Sequence, residues 1–382
     1  MHSTRGRANL LRAVYTGQLP VTELTGPRLY AAMDLCIECK ACKAECPSSV
    51  DMAKIKFEYL AQYHDAQGVP LRTKLFANIG SLSRLTAGPL APLANATLKN
   101  RFVRKSMAKT LGIAPQRALP PFARHSFMQQ FTQRTPQAPA ANARSQVVLF
   151  VDPFTNYNYP EIGMAAVTVL ETAGFAVIAV AGEDGRSHIS KGFVDGARAA
   201  ARRTLHQLAP FAEKKMPIIG LEPSSLLTLR DEYLYLLRDE AQAQVLAQHA
   251  YTFEEFIAKL ADEDRLGLTF TAEKRDILLH GHCHQKALVG TQPSQRILRL
   301  PPNYTVTEVD SGCCGMAGAF GYEAEHYEIS LQMGERRLLP AVRAAAEDTI
   351  IVAAGVSCRQ QIKHGTQRRA LHPAEVLRDA LL

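Results

Sequence analysis

The chain has 382 residues, 47% of them hydrophobic and 21% charged, with 24 Gly, 21 Pro and 8 Cys. That composition excludes collagen-like, coiled-coil and disordered chains, and the length leaves room for two or three domains. Lys and Arg outnumber Asp and Glu by 44 to 36, a net charge of +8, which favours anionic partners in general. The arginines are scattered and no nucleic-acid module is legible, so no nucleic-acid partner is expected.

The stretch His2 to Arg7 is polar and basic, with no long apolar core behind it, so secretion is not expected. The longest apolar runs, Gln146 to Val151 and Thr349 to Ala354, are strand-sized and far short of the roughly 20 residues a membrane helix needs. A cytoplasmic chain is expected, with peripheral contact to the inner face of the membrane compatible with its charge. Helices are predicted over 7–14 and 51–61, the second capped by Asp51, with Met52, Ile55, Tyr59 and Leu60 on one face. From about Ser81 to Ser145 the composition shifts to Pro, Ala, Arg and Gln, including Thr135 to Ala140, and reads as a connector with a short helix or two near 95–112.

Beyond the connector the pattern turns α/β. A strand at 147–152 leads through a polar loop, 153–160, to a helix at 161–173. A strand at 176–180, a helix at 193–208, a strand at 217–221 and a helix at 224–238 follow. After a helical bridge at 251–262 come a strand at 276–280, a strand at 304–309, a helix at 322–338 and a strand at 348–354. The two halves read as a diverged duplication, with strand 147–151 matching 276–280 and Ile218–Ser224 matching Ile350–Cys358.

The eight cysteines fall into two tight groups, which in a cytoplasmic chain points to metal rather than disulfides. The first, Cys36, Cys39, Cys42 and Cys46 followed by Pro47, is the C-x2-C-x2-C-x3-C-P run of bacterial-type iron–sulfur proteins. Two-residue gaps let successive thiolates wrap one compact cluster, Ala41 and Ala44 leave space, and Pro47 turns the chain away. A zinc knuckle or a set of buried thiols is the competing reading. The second group is Cys283, Cys313, Cys314 and Cys358, each in a loop after a predicted parallel strand. Loops at the carboxyl ends of neighbouring strands converge, so thiols about 30 to 45 residues apart can meet. Gly312 and Gly315 are expected to permit close approach and positive φ on either side of the cysteine pair. Inert core thiols, a vicinal disulfide and a zinc site using the histidines around Cys283 compete here. Lys286 and Arg359 are candidates either for tuning a cluster or for plain surface roles.

Together with His2 to Asn9, Asn156-Tyr157, His282 to Gln285, Gly312 to Met316 and Ser357 to Arg359, these motifs resemble the iron–sulfur half of FAD-linked 2-hydroxyacid oxidoreductases of the D-lactate and D-2-hydroxyglutarate type. That group is related to the iron–sulfur component of glycolate oxidase and to the C subunit of anaerobic glycerol-3-phosphate dehydrogenase. The C-terminal loops also resemble the CCG domain of heterodisulfide reductase. The resemblance implies an α-helical ferredoxin-like N-terminal domain over 1–80, the connector over 81–145, and an α/β region of two diverged parallel-sheet CCG-type repeats, a degenerate one over 146–270 and a cysteine-bearing one over 271–382. It implies a 4Fe–4S cluster on Cys36, Cys39, Cys42 and Cys46, and a second, CCG-type cluster on Cys283, Cys313, Cys314 and Cys358.

Nothing in the chain reads as a flavin fingerprint, and iron–sulfur chemistry alone takes no hydride from a 2-hydroxyacid, so FAD is expected on a partner. The expected function is relay of electrons from an FAD-containing dehydrogenase subunit or domain to a quinone or cytochrome. A thiol or disulfide reductase of the heterodisulfide type, a zinc scaffold, or a fragment of a fused oxidase are the alternatives. Two departures from the relatives bear on this. The chain opens where the family carries a further upstream ferredoxin motif, so Cys46 is expected either to be recruited locally or to await another polypeptide. The last loop has Cys358 followed by Arg359, Gln360 and Gln361 where relatives of the heterodisulfide type have C-x2-C, and the first half carries no CCG loop.

Overall fold

The computed structural model describes residues 2–135 and 146–382. The Pro136 to Ala140 part of the connector lies outside the described residues. No described helix is long and apolar enough to cross a membrane.

Two four-stranded parallel sheets form the centre of the molecule. The first contains β1 (Gln146–Val151), β2 (Ala176–Ala181), β3 (Ile218–Gly220) and β4 (Ala250–Thr252), in the order β2-β1-β3-β4. The second contains β5 (Arg275–Leu279), β6 (Tyr304–Glu308), β7 (Ile350–Val352) and β8 (Ala370–Leu371), in the order β6-β5-β7-β8. The two orders are the same when each sheet is counted from its own first strand, which supports the duplication read from the repeated motifs. Strand β1 is continuous Val, Leu and Phe because helices cover both faces of a parallel sheet. One hydrophobic core crosses both halves, joining Leu149 and Ile219 to Ile277, Leu279, Val352 and Leu377.

The α/β pattern holds, with differences at the short elements. Strands β4 and β8 went unpredicted, since two or three residues carry no readable alternation. Each precedes a helix with a capping box, Thr252 with Glu255 and His372 with Glu375. The helix expected at 224–238 is split at Asp231 into Pro223–Arg230 and Glu232–Leu236. The helix expected at 322–338 is two 3-10 turns followed by Tyr327–Glu335 and Leu338–Ala344. The loop expected at 153–160 contains a short helix, Pro153–Tyr157, capped by Asp152.

The N-terminal part is helical, as expected: Thr4–Tyr15, Pro27–Asp34, the short Ala41–Glu45 and Met52–Gln67. Asp51 accepts from the backbone N–H groups of Ala53 and Lys54 at the start of the last of these. Lys56 and Phe57 join the buried face, while Ile55 is half-buried. The connector carries more helix than its composition predicted, with Ile79–Thr86, Ala91–Lys99, Arg101–Leu111 and Phe127–Gln133. Among the described residues, Pro92 stands in the first turn of its helix, where its missing N–H costs nothing, and Gly88, Pro89, Gly112, Pro115, Pro120 and Pro121 lie between helices.

Candidate metal centre

The carboxyl ends of β5, β6 and β7 carry the second cysteine group, and its members meet. Cys313 contacts Cys283 and Cys314 through hydrogen bonds, and Cys314 contacts Cys358 in the same way. Two of these thiols lie in the first turns of helices rather than in loops, a correction to the predicted pattern. Cys283 opens the helix Cys283–Leu288, capped by His282, and Cys358 stands in the first turn of Val356–Thr366. Unpaired N–H groups in a first turn favour a thiolate.

The four thiols do not behave alike. The hydrogen bond from Cys313 pulls Cys283 down, against its burial and with help from His282. Hydrogen bonds from Cys313 and Cys358 pull Cys314 well below the ordinary thiol value. The donors Cys313 and Cys358 are pushed well above it. Thiols that favour each other's ionisation in alternation suit a soft-metal site, whose ligands must lose their protons to bind.

Only one of the two loop glycines behaves as expected. Gly315 has φ +91°, and a Cβ there would stand 2.2 Å from the Ser330 carbonyl oxygen. Its N–H reaches Cys313 Sγ at 3.3 Å. Gly312 has no positive φ and no atom within 4 Å of an added Cβ, so nothing in its surroundings requires glycine. Lys286 and Arg359 hold backbone: Lys286 Nζ donates to the Ser311 carbonyl at 2.5 Å, and Arg359 donates to the carbonyls of Ala353 and Ala354.

The first cysteine group lies against the second. The helix Ala41–Glu45 packs on Cys283–Leu288, and His284 Nε2 donates to the Glu38 carbonyl at 2.8 Å. Cys39 senses the charges of Cys36, Cys42 and Cys283, and burial pushes its thiol up to about 11. Cys36 is likewise raised by burial. Cys36 and Cys42 pack on the N-terminal core of Leu11, Leu29, Met33 and Met52. Cys46 is at the far end of the short helix, its N–H bonded to the Cys42 carbonyl at 3.0 Å. Positive φ at Glu38 (52°) and Lys40 (60°) curls the motif, and both side chains are anchored by the first α/β half. Lys40, 1% exposed, pairs with Asp231 at 2.6 Å and Glu232 at 2.8 Å. Glu38 pairs with Arg186, which also reaches Glu232 at 2.7 Å.

A cavity of about 220 Å³ separates the two groups, lined by Cys36 on one side and by Cys283, Cys313, Cys314 and Cys358 on the other. Sequence reasoning weighed the histidines around Cys283 as ligands of a competing zinc site but did not single out His280. Its donor nitrogen and the sulfurs of Cys314 and Cys358 all lie within 4.8 Å of one another. The available signal was its place at the very end of β5, one strand over from the Cys-Cys pair. Four convergent sulfurs and a buried imidazole are a donor set that suits iron–sulfur or zinc and does not suit hard cations.

No family model matches the chain. D-2-hydroxyglutarate dehydrogenase of Escherichia coli (strain K12) is 29% identical over 359 residues, covering 91% of this chain and 34% of that protein. The C subunit of anaerobic glycerol-3-phosphate dehydrogenase of the same organism is 28% identical over 338 residues, 88% of this chain and 83% of that protein. Lactate utilization protein A of an Exiguobacterium strain is 25% identical over 250 residues, 62% of this chain and 98% of that protein. The chain is a homologue of all three. The resemblance read from the cysteine motifs is therefore borne out. The chain spans about a third of the length of the D-2-hydroxyglutarate dehydrogenases it matches. Two of these relatives are dehydrogenases by name, and the name of the third refers to lactate utilization.

Proposed function

We propose that the chain is the iron–sulfur electron-transfer part of an FAD-linked 2-hydroxyacid dehydrogenase, taking electrons from a flavin-bearing partner and passing them to a quinone or cytochrome. Cys36, Cys39, Cys42 and Cys46 hold a 4Fe–4S cluster in a ferredoxin-type domain over 1–80. Cys283, Cys313, Cys314 and Cys358 hold a second, CCG-type cluster in the repeat over 271–382. The connector over 81–145 and the degenerate repeat over 146–270 join and brace them. Such clusters accept and release electrons singly, which is the chemistry needed to empty a two-electron flavin. The chain's own residues hold the first motif in its curl through Lys40 and Glu38, and set thiolate character in the second group through Cys313 and Cys358. A cytoplasmic setting, with contact to the inner membrane face, fits a quinone acceptor.

The observation that carries this reading is the meeting of four thiols from three strand ends beside a second group of thiols. Its test is iron and acid-labile sulfide content with EPR of anaerobically purified protein. About eight iron and two signals are expected, one lost in Cys314→Ser and the other in Cys39→Ser. Essentially no bound iron after anaerobic reconstitution sinks the reading. The cavity bordering Cys283 and Cys313 favours one second reading, reduction of a thiol or disulfide substrate at the C-terminal site. Turnover of a disulfide by the reduced chain without any flavoprotein separates the two.

A further inference from the structure

His280 is 1% exposed and stands directly after β5, its N–H bonded to the Val352 carbonyl at 2.8 Å, so its backbone belongs to the rigid sheet. Its ring is held from one side. Nδ1 lies 2.8 Å from Ser311 Oγ, and Ser311 Oγ in turn donates to the Val309 carbonyl. A hydroxyl has one proton. With that proton directed to Val309, Ser311 accepts from Nδ1–H, and the neutral ring then carries its lone pair on Nε2. This is the arrangement that metal-binding histidines adopt, one nitrogen donating to an outer partner and the other free to coordinate. Nε2 is buried with no nitrogen or oxygen partner, and the ring is hydrogen-bonded to the sulfur of Cys314. His280 also completes, with Cys314 and Cys358, the group of donors lying mutually within 4.8 Å. Of the other histidines of the segment, His282 Nδ1 caps its helix and His284 donates through Nε2 to Glu38, leaving its Nδ1 also buried without a partner; it is His280 that is grouped with the Cys314 and Cys358 sulfurs.

We propose that His280, through Nε2, is a nitrogen ligand of the centre held by Cys314 and Cys358, which makes that site a mixed imidazole–thiolate one. The proposal rests on the reading of this site as an iron–sulfur centre. A neutral imidazole at this position leaves the centre less negative than a further thiolate there would, and so raises its reduction potential. Ser311 is the positioning residue that holds the ring and its tautomer.

The test uses the full chain, reconstituted anaerobically with iron and sulfide after growth on 15N-histidine, and pulsed EPR of the signal that Cys314→Ser abolishes. A strong nitrogen coupling that changes with the label is expected, because a bound nitrogen carries unpaired spin that a remote one does not. His280→Gln should lose that coupling, and His280→Cys should keep the iron while lowering the potential. A Cys314-dependent signal with only weak nitrogen coupling overturns the proposal and leaves the iron–sulfur reading standing. Absence of any Cys314-dependent iron overturns both. The labelled wild-type protein decides the matter even where a His280 variant fails to fold.

Discussion

The two α/β halves share one strand order and differ in what stands at their strand ends. Where the second half has Cys358 three residues after its helix cap Gly355, the first has Ser225 three residues after Glu222. Where the second has its Cys-Cys pair after β6, the first has Asp184 after β2, hydrogen-bonded to Ser225. Asp152 caps the helix after β1 as His282 does after β5. Thiols have been exchanged for carboxylates and hydroxyls, and the use of the half has changed with them. Asp231, Glu232 and Arg186 hold the N-terminal cysteine motif by its Lys40 and Glu38, while Glu222 accepts from the Val356 N–H at 2.8 Å, on the helix that bears Cys358. One repeat presents soft donors, and its sibling braces them.

The largest effect should come from exchanging residues at matched positions. Cys314→Ser is expected to remove all iron of the second site, about four per chain, whereas Ser225→Ala leaves the iron content unchanged. A loss of iron in Ser225→Ala would show that the first half takes part in binding and would break the comparison. Next is Lys40→Met, which takes the buried cation from between Asp231 and Glu232 while Lys43, Lys54 and Arg186 still face them, and should lower stability by about 1.5–3 kcal/mol in denaturant unfolding. Little change would mean that the N-terminal motif is held by its packing alone.

A pH dependence belongs to the first half. Burial, with the charge of Glu222, pushes the Asp152 carboxyl up from 3.8 to about 7, so the folded chain binds a proton there that the unfolded chain has released. That contribution is full below pH 3.8 and is lost as pH rises through 7. Asp152→Asn, which keeps a capping oxygen, should remove this fall, a difference on the order of 2–4 kcal/mol between the two ends of the window. Parallel stability curves for the two proteins would show that Asp152 is ionised throughout. The smallest pair lies in one loop: Gly315→Ala should cost roughly 1–3 kcal/mol for its positive φ, and Gly312→Ala less than about 0.5 kcal/mol. Equal costs would mean that the loop needs flexibility at both positions rather than a left-handed turn at one.

Periodicity and composition were enough to read the alternating α/β pattern and both cysteine groups, because these depend on local spacing. Strand-sized apolar runs announce buried parallel strands, and C-x2-C-x2-C is a local motif. The short strands β4 and β8 and the break at Asp231 escaped that reading, since they exist only through their neighbours: a two-residue strand is made by the sheet beside it, and Asp231 by the three lysines it holds. The same limit applies to the site. The sequence by itself determined which residues are thiols and that they sit at strand ends. Only the tertiary structure decided that Cys283, Cys313, Cys314 and Cys358 touch, that His280 joins them through a ring bonded to Cys314, and that Gly315 rather than Gly312 takes a positive φ. Distances between residues far apart in the chain are set by how the sheets and helices pack, and no local pattern encodes them.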